Sequence, residues 1–306
     1  MKATFYEVKL KPYYKTDSCA LYQCDNLDLM KSLPDNYIDL IYCDVLYGTG
    51  KSFKDYQDIK AERKIIEGFY APRFKEMFRL LKNTGYAYIQ MDSKISHWIR
   101  IILDEVFGYE NFNNEIIWHY TKMNSTNNKF ISNHDNIFSY YKTPNRSFNV
   151  QYNNSESALR TRLNKFVVNN MIYWKSIKNH QSQLVDSYIQ SAKNRLNKKE
   201  LEDSDVVIDF SNKNKQKIDD VWDIPIIKGN SKENWKYDTQ KPKELLRRII
   251  NSSSSEDNVI ADFFMGSGTT GEVAVELGRR FIGCDIGDRA CKISQQRIEE
   301  LYAGKR

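Results

Sequence analysis

No stretch of about 18 apolar residues occurs in this sequence, so no segment reads as a membrane-crossing helix. The opening residues, MKATFYEVKLKPYYKTD, lack the apolar block of a secretory leader. Both absences lead us to expect a cytoplasmic protein with no membrane partner. Cysteine is sparse: Cys19, Cys24, Cys43, Cys284 and Cys291 are odd in number and show no Cys-x-x-Cys spacing. That pattern argues for buried free thiols and against a zinc site or a disulfide framework. Internal repeats are absent. A strong charge excess is also missing, and the net +6 permits a nucleic-acid partner without requiring one. Apolar residues, by contrast, are plentiful. At 41% hydrophobic and 13% aromatic, the chain can build a packed core and is not disordered throughout. Its 306 residues suit one large domain, or one domain with an insertion.

Periodicity gives a coarse map. Residues 20–24 and 38–43 read as short buried strands. Across 61–83, Ile66, Tyr70, Phe74, Met77, Phe78 and Leu81 recur at helical spacing, with Gly85 as the stop. GYAYIQMD reads as a strand, and SKISHWIRIILDEVFG as a helix capped by Ser93 and ended by Gly108. Residues 114–120 and 136–142 are strand-like. From about 143 to 218 the composition turns to Asn, Ser, Lys and Gln with broken periodicity, apart from a charged helical stretch, QSAKNRLNKKELEDSD. This region reads as an inserted module. Order resumes at 219–225. A strand (258–264), a glycine turn, a helix (269–277), a strand (280–286) and a last helix (288–302) follow. Strands alternating with helices predict an α/β sheet.

Two stretches carry chemistry. DFFMGSGTT (262–270) joins a strand to a helix, and Gly266 and Gly268 let the backbone turn tightly and approach a ligand. Asp285 ends the next strand, where a nucleotide-binding βαβ unit grips ribose hydroxyls; an ordinary turn with Asp285 as a helix cap is the plainer alternative. IYCDVLYGTG (41–50) brings a carboxylate, Asp44, and an aromatic, Tyr47, to the mouth of a strand.

Taken in order, these motifs resemble the amino-group DNA methyltransferases. DFFMGSGTT is similar to their cofactor motif Asp-Pro-Phe-x-Gly-Ser-Gly-Thr-Thr, with Phe263 in place of proline. TQKP (239–242) resembles a companion cofactor motif, and GRRFIGCDI (278–286) their next strand with its ribose-binding acid. DVLYGTG resembles the catalytic Asp-Pro-Pro-Tyr. The catalytic motif precedes the cofactor motif, with a recognition insert between them. That order is similar to the β class, mostly adenine-N6 and some cytosine-N4 enzymes, and NEIIWHY…NHDNIFSYYK resembles relatives around the type III modification subunits.

The resemblance implies a Rossmann-like, S-adenosylmethionine-dependent methyltransferase sheet with circularly permuted motif order. It divides the chain into 1–142 with the acceptor loop, a target-recognition insert at 143–218, and a cofactor-binding half at 219–306. It implies S-adenosyl-L-methionine as cofactor, double-stranded DNA as substrate and no metal. An intracellular bacterial or phage setting, a homodimer and a cognate restriction enzyme accompany such proteins. Cofactor contacts are implied for Asp44, Asp262, Phe263, Phe264, Gly266, Ser267, Gly268, Thr269, Thr270, Asp285 and Ile286. Thr239, Gln240, Lys241 and Pro242 join them, although Pro242 also suits a first helical position. Asp25 and Asn26 correspond to a position that meets the cofactor's adenine, and a helix N-cap explains them equally well.

The implied chemistry answers why an acid and an aromatic meet at 44–47. An exocyclic amine is a poor nucleophile because its lone pair is delocalised into the ring. Two acceptors fixed on its N–H groups turn that lone pair outward: the Asp44 carboxylate, and the carbonyl of Asp44 or Val45. Tyr47 stacks on the base, which must be flipped out of the duplex. Val45 and Leu46 replace the family's two prolines, at an expected cost of about 0.4–1 kcal/mol per proline in lost stiffening. Their carbonyls remain, and Leu46 keeps an apolar contact. Lys122, Lys129, Arg160, Arg162 and Lys165 could neutralise phosphates or simply be solvated. His134, beside Asp135, resembles a His-Asp near the nucleic-acid face of relatives, and a structural histidine is the commoner case. Tyr152 and Trp174 suit either base stacking or a small core in the insert. Asp44 at the head of its motif favours adenine N6. A cytosine-N4 enzyme, or a non-catalytic nucleic-acid-binding subunit of a pair, stays open as the alternative.

Overall fold

The computed structural model describes residues 5–52, 57–122, 128, 130–156, 163–169, 171–179, 183–209 and 215–304. The chain divides into a large unit, residues 1–149 with 219–306, and a smaller unit, Val150–Ile218.

The large unit is built on a nine-stranded sheet. In chain order it holds β1 (Tyr14–Lys15), β2 (Cys19–Gln23), α1 (Asn26–Ser32), β3 (Ile38–Asp44), α2 (Arg63–Leu80), β4 (Leu81–Asp92), α3 (Ser96–Phe107), β5 (Phe112–His119) and β6 (His134–Tyr141). The smaller unit supplies β7 (Tyr152–Glu156), β8 (Met171–Tyr173), α4 (Trp174–Ile177), α5 (Gln183–Leu196), β9 (Val206–Asp209) and β10 (Lys215–Lys217). The chain then returns through β11 (Val221–Asp223), α6 (Lys243–Ser253), β12 (Val259–Asp262), α7 (Thr269–Glu276), β13 (Arg280–Asp285) and α8 (Asp288–Tyr302).

The sheet order is β1-β2-β13-β12-β3-β4-β6-β5-β11. Strands β2, β13, β12, β3 and β4 are mutually parallel, and β6 is antiparallel to both β4 and β5. Continuous apolar runs such as Leu40–Cys43 suit these central strands, because helices cover both faces. From β3 the chain steps one way along the sheet through α2 to β4; from β12 it steps the other way through α7 to β13. Right-handed crossovers in opposite directions put the two helices on opposite faces. Accordingly α1, α2 and α3 pack together, and α6, α7 and α8 form a second layer. A crevice therefore opens where the order reverses, between β12 and β3, at the carboxyl ends of the strands.

Several sequence expectations are corrected. Gly85 does not end a helix: α2 stops at Leu80, β4 starts at the next residue, and Gly85 lies inside that strand. Its missing Cβ makes room for the Asp39 carbonyl, which a Cβ would meet at 3.0 Å. Ser93 does not cap α3. The cap position is Ile95, and Asp92 turns the chain by accepting from Lys94 N. Gly108 does end α3, at φ 88°. The charged helix of the insert starts earlier, at Gln183, and ends at Leu196. Asn197 takes a left-handed φ of 53°, and Lys198 N bonds back to Lys193 O. Residues 143–149 belong with the large unit rather than the insert, since Thr143 bonds the Asn83 carbonyl and Asn149 N the Ser252 carbonyl.

The smaller unit has a core of its own: Leu163, Ile172, Ile177, Ala192, Leu201, Val207 and Ile208. Trp174 packs against this core, whereas Tyr152 is half exposed. No helix among the described residues is long and apolar enough to cross a membrane.

Candidate active site

Four of the parallel strands end on a carboxylate: β13 on Asp285, β12 on Asp262, β3 on Asp44 and β4 on Asp92. The first three line one cavity of 260 Å³, together with the apolar faces of Phe69, Phe264 and Ile286. Three acids beside apolar walls suit a ligand that is both cationic and flat in part.

The glycine turn is held by its acids. Asp285 accepts from Gly266 N (2.9 Å) through one oxygen and from Gly287 N (2.8 Å) through the other. Asp262 accepts from Phe264 N (3.0 Å) and from the Thr270 hydroxyl (2.6 Å). Burial pushes the Asp262 carboxyl from 3.8 up to about 7, against these two bonds, and the charges of Asp44 and Asp285 push it the same way. A carboxyl raised on folding destabilises the fold as pH climbs through the interval between its unfolded and folded values, because only the unfolded chain ionises there. Asp262→Asn should therefore gain stability relative to wild type between about pH 4 and about pH 7, by about 1.4 kcal/mol per pH unit, and level off above that. Denaturant melts at the two pH values measure it, and a constant difference would contradict the reading.

Gly268 sets the start of α7 at φ +73°. A Cβ there would lie 2.9 Å from the Cα of Ser294 and closer still to its side chain. Gly268→Ala should cost about 2–4 kcal/mol through left-handed strain and overlap, read from thermal or denaturant unfolding.

The acceptor loop is braced without prolines. The added N–H of Val45 donates to Gln90 O (3.0 Å), Val45 is buried, and the Tyr70 hydroxyl donates to the Leu46 carbonyl (2.9 Å). Asp58, nearly inaccessible, clamps the following turn by accepting from Gly48 N, Thr49 N and the Thr49 hydroxyl. Gly48 and Gly50 both have positive φ there.

Asp44 faces inward. Its Oδ2 pairs with Lys241 Nζ and its Oδ1 accepts from the Tyr47 hydroxyl at 2.9 Å. Burial pushes its pKa up, and Lys241 opposes that by attraction and hydrogen bonding. The Tyr47 hydroxyl also lies 2.6 Å from Asp135 Oδ2. Asp135 accepts in addition from Gln90 Nε2 (2.8 Å) and the Tyr120 hydroxyl (2.7 Å). A second cavity, 480 Å³, adjoins this network. It shares Tyr47, Tyr237, Thr239 and Lys241 with the first and adds Trp118, Tyr120, Lys122 and Asp135.

Of the residues singled out from sequence, Asp44, Val45, Leu46, Tyr47, Asp25, Asn26, Thr239, Lys241, Asp262, Phe263, Phe264, Gly266, Ser267, Thr269, Thr270, Asp285 and Ile286 line the first cavity. Asp25 caps α1 by accepting from Leu27 N and pairs with Arg73, so the N-cap alternative holds for it. Both polar side-chain atoms of Asn26 are taken, Nδ2 by the Phe263 carbonyl and Oδ1 by Arg73 Nε. Gln240 lies away from the first cavity and braces its own loop through Trp235 N and the Glu233 carbonyl. Pro242 occupies the N-cap of α6 rather than the first helical position, and Gly268 acts through backbone packing. Lys122 sits over the Tyr120 ring, with Nζ 4.3 Å from the centroid, and His134 opens β6 opposite His119. Lys129, Arg160 and Arg162 lie outside the described residues.

Sequence reasoning missed Arg73, Asp58 and Gln90, and it placed Asp135 only as the companion of His134, not as a partner of Tyr47. Arg73 carried a usable signal: it sits in the apolar stripe of α2, three places after Tyr70, and is buried against Asn26, Asp25 and the Phe69 ring.

A profile of a DNA methylase family, the N6/N4 methyltransferases, matches residues 38–296. The chain is 28% identical over 283 residues to the type II methyltransferase M.HpaI of Haemophilus parainfluenzae, covering 92% of this chain and 74% of that protein. The DNA adenine methyltransferase YhdJ of Escherichia coli is 26% identical, at 90% and 81% coverage. M.BamHI of Bacillus amyloliquefaciens is 27% identical, at 97% and 61%. Among solved structures, the cytosine-N4-specific PvuII DNA methyltransferase superposes with a TM-score of 0.58 at 16% identity, over 95% of this chain and 90% of its own. A DNA modification methylase of Thermus thermophilus, solved with S-adenosyl-L-methionine, gives a TM-score of 0.52 at 16% identity, over 92% and 93%. At such identities these two speak to the fold, a methyltransferase α/β sheet. With that fold and a family match across most of its length, the chain belongs to the DNA methylase family of N6/N4 methyltransferases.

Proposed function

We propose that this DNA methyltransferase moves the methyl group of S-adenosyl-L-methionine to the exocyclic N6 of an adenine flipped out of double-stranded DNA. One observation carries the reading: Asp44 and the glycine turn Phe264–Ser267 line the same cavity at the switch point of the sheet. S-adenosyl-L-methionine supplies an electrophilic methyl on a sulfonium when bound. The cavity suits it, because Asp44, Asp262 and Asp285 complement a cation and Phe264 and Ile286 offer apolar faces to its adenine.

The residues then divide the work. Asp285 and Gly266 fix the turn against which the cofactor lies. The Asp44 carboxylate accepts one N–H of the target amine and the Val45 carbonyl the other, which turns the nitrogen lone pair toward the methyl. Tyr47 offers its ring to the base, which approaches from the second cavity between Tyr120 and Tyr237. A near-attack distance of about 3–3.5 Å is what such clamping provides. Adenine is favoured by the aspartate heading the acceptor loop and by the similarity to an adenine methyltransferase over nine-tenths of the chain. The type II methyltransferases among the relatives suggest a restriction–modification setting with a cognate restriction enzyme. Val150–Ile218 is assigned to target recognition, since base reading needs surface outside the transfer site. Incorporation of label from methyl-labelled S-adenosyl-L-methionine into unmethylated duplex DNA tests the activity. Cofactor binding without incorporation into any duplex would overturn it.

A further inference from the structure

The Tyr47 hydroxyl has one proton and two carboxylates in reach: Asp44 Oδ1 at 2.9 Å and Asp135 Oδ2 at 2.6 Å. Asp44 Oδ2 is already paired with Lys241, so Oδ1 is the oxygen left for the N–H of a substrate amine. While Tyr47 donates to it, that oxygen is partly spent.

We propose that Asp135 is a positioning residue that takes the Tyr47 hydroxyl when the target base arrives, leaving Asp44 Oδ1 to the base. The inference rests on the reading of Asp44 as the amine's acceptor. Three features of the site favour it. Asp135 is buried at 3% exposure on β6, one strand beyond β4, so its position is set by the sheet. Gln90, fully inaccessible on β4, donates to the same Asp135 oxygen, and its Oε1 is held by the Tyr42 hydroxyl at 2.7 Å, which fixes the amide's orientation. Gln90 Nε2 also approaches the Tyr47 oxygen at 3.4 Å, which favours a hydroxyl that accepts from Gln90 and points its proton at an acid. The Tyr120 hydroxyl fills the other oxygen of Asp135, so the carboxylate faces donors on both oxygens and serves as an acceptor only.

The test is a set of single and double variants in a methyl-transfer assay, with S-adenosyl-L-methionine binding read by calorimetry on each. Asp135→Leu, close in branching but without an acceptor, leaves Tyr47 only Asp44 to donate to. Its kcat should fall at least tenfold, with cofactor affinity within threefold of wild type. Adding Tyr47→Phe removes the competing hydroxyl and should restore most of the loss. Asp135→Asn keeps an acceptor oxygen and should stay within a few-fold. Tyr47→Phe alone is the reference for the double variant: Asp135→Leu should cost at least tenfold with Tyr47 present and no more than threefold in the Tyr47→Phe background. An Asp135→Leu loss that Tyr47→Phe deepens or leaves unchanged would overturn the proposal. So would a tenfold or greater Asp135→Asn loss that Tyr47→Phe does not relieve, which decides the matter even if Asp135→Leu fails to fold. An inactive wild type that binds cofactor would instead sink the reading of Asp44 on which the proposal rests.

Discussion

Asp44→Ala is expected to lower methyl transfer about a hundredfold to a thousandfold, in kcat rather than in cofactor affinity. The carboxylate is the side-chain acceptor that ends β3 and faces the cavity beside the glycine turn. Without it the amine keeps one N–H unpaired, and its lone pair stays in the ring. Asp44→Asn retains an acceptor oxygen and should lose less. Cofactor binding should weaken far less than transfer in both variants, because Asp285 and Asp262 hold the glycine turn through bonds that do not involve Asp44. Single-turnover rates with saturating cofactor, set beside calorimetric affinities, separate the two effects. A variant whose loss lay wholly in cofactor affinity would refute the assignment.

Lys241→Met is expected to move the acid limb of the pH–rate profile upward. Asp44 works as a carboxylate, and burial already pushes its pKa up. Lys241 is the cation that opposes this; Asp135 and Asp262 are like charges nearby, while Tyr47 and Tyr42 are neutral hydroxyls. Removing an opposite charge in contact raises a carboxyl further. More of Asp44 is then protonated at a given pH, so the variant loses most at low pH and recovers part of its rate as pH rises. Were Lys241 only a handle for the cofactor's carboxylate, the loss would appear in the cofactor KM and the limb would stay in place.

The site is legible in sequence wherever its chemistry is contiguous. Asp262 to Thr270 and Asp44 to Gly50 each form one strand end with its turn, so type and spacing carry the signal. The α/β class follows from periodicity, and the family's motif order carries the position of the cavity. The partners that tune those motifs are hidden by separation along the chain. Lys241 meets Asp44 from 197 residues away, and Asp135 meets Tyr47 from 88. No local pattern marks such a pair. In sequence Lys241 points only to the cofactor, and its contact with Asp44 emerges when the loop before α6 folds over β3. Asp135 is named in sequence only as the companion of His134, because no local pattern ties it to Tyr47 until β6 is seen beside β4. Gly85 misleads for a related reason: a glycine after a helical pattern suggests a stop, and the need for it comes from the Asp39 carbonyl across the sheet.

The central claim is methyl transfer to adenine N6. It is tested most directly by incubating the purified protein with labelled S-adenosyl-L-methionine and unmethylated genomic DNA, digesting the product to nucleosides, and identifying the labelled nucleoside by mass. The account predicts label in N6-methyldeoxyadenosine, lost in Asp44→Ala. Label in N4-methyldeoxycytidine would contradict the base assignment, and DNA left unlabelled by a protein that binds cofactor would contradict the assignment of catalysis to this chain.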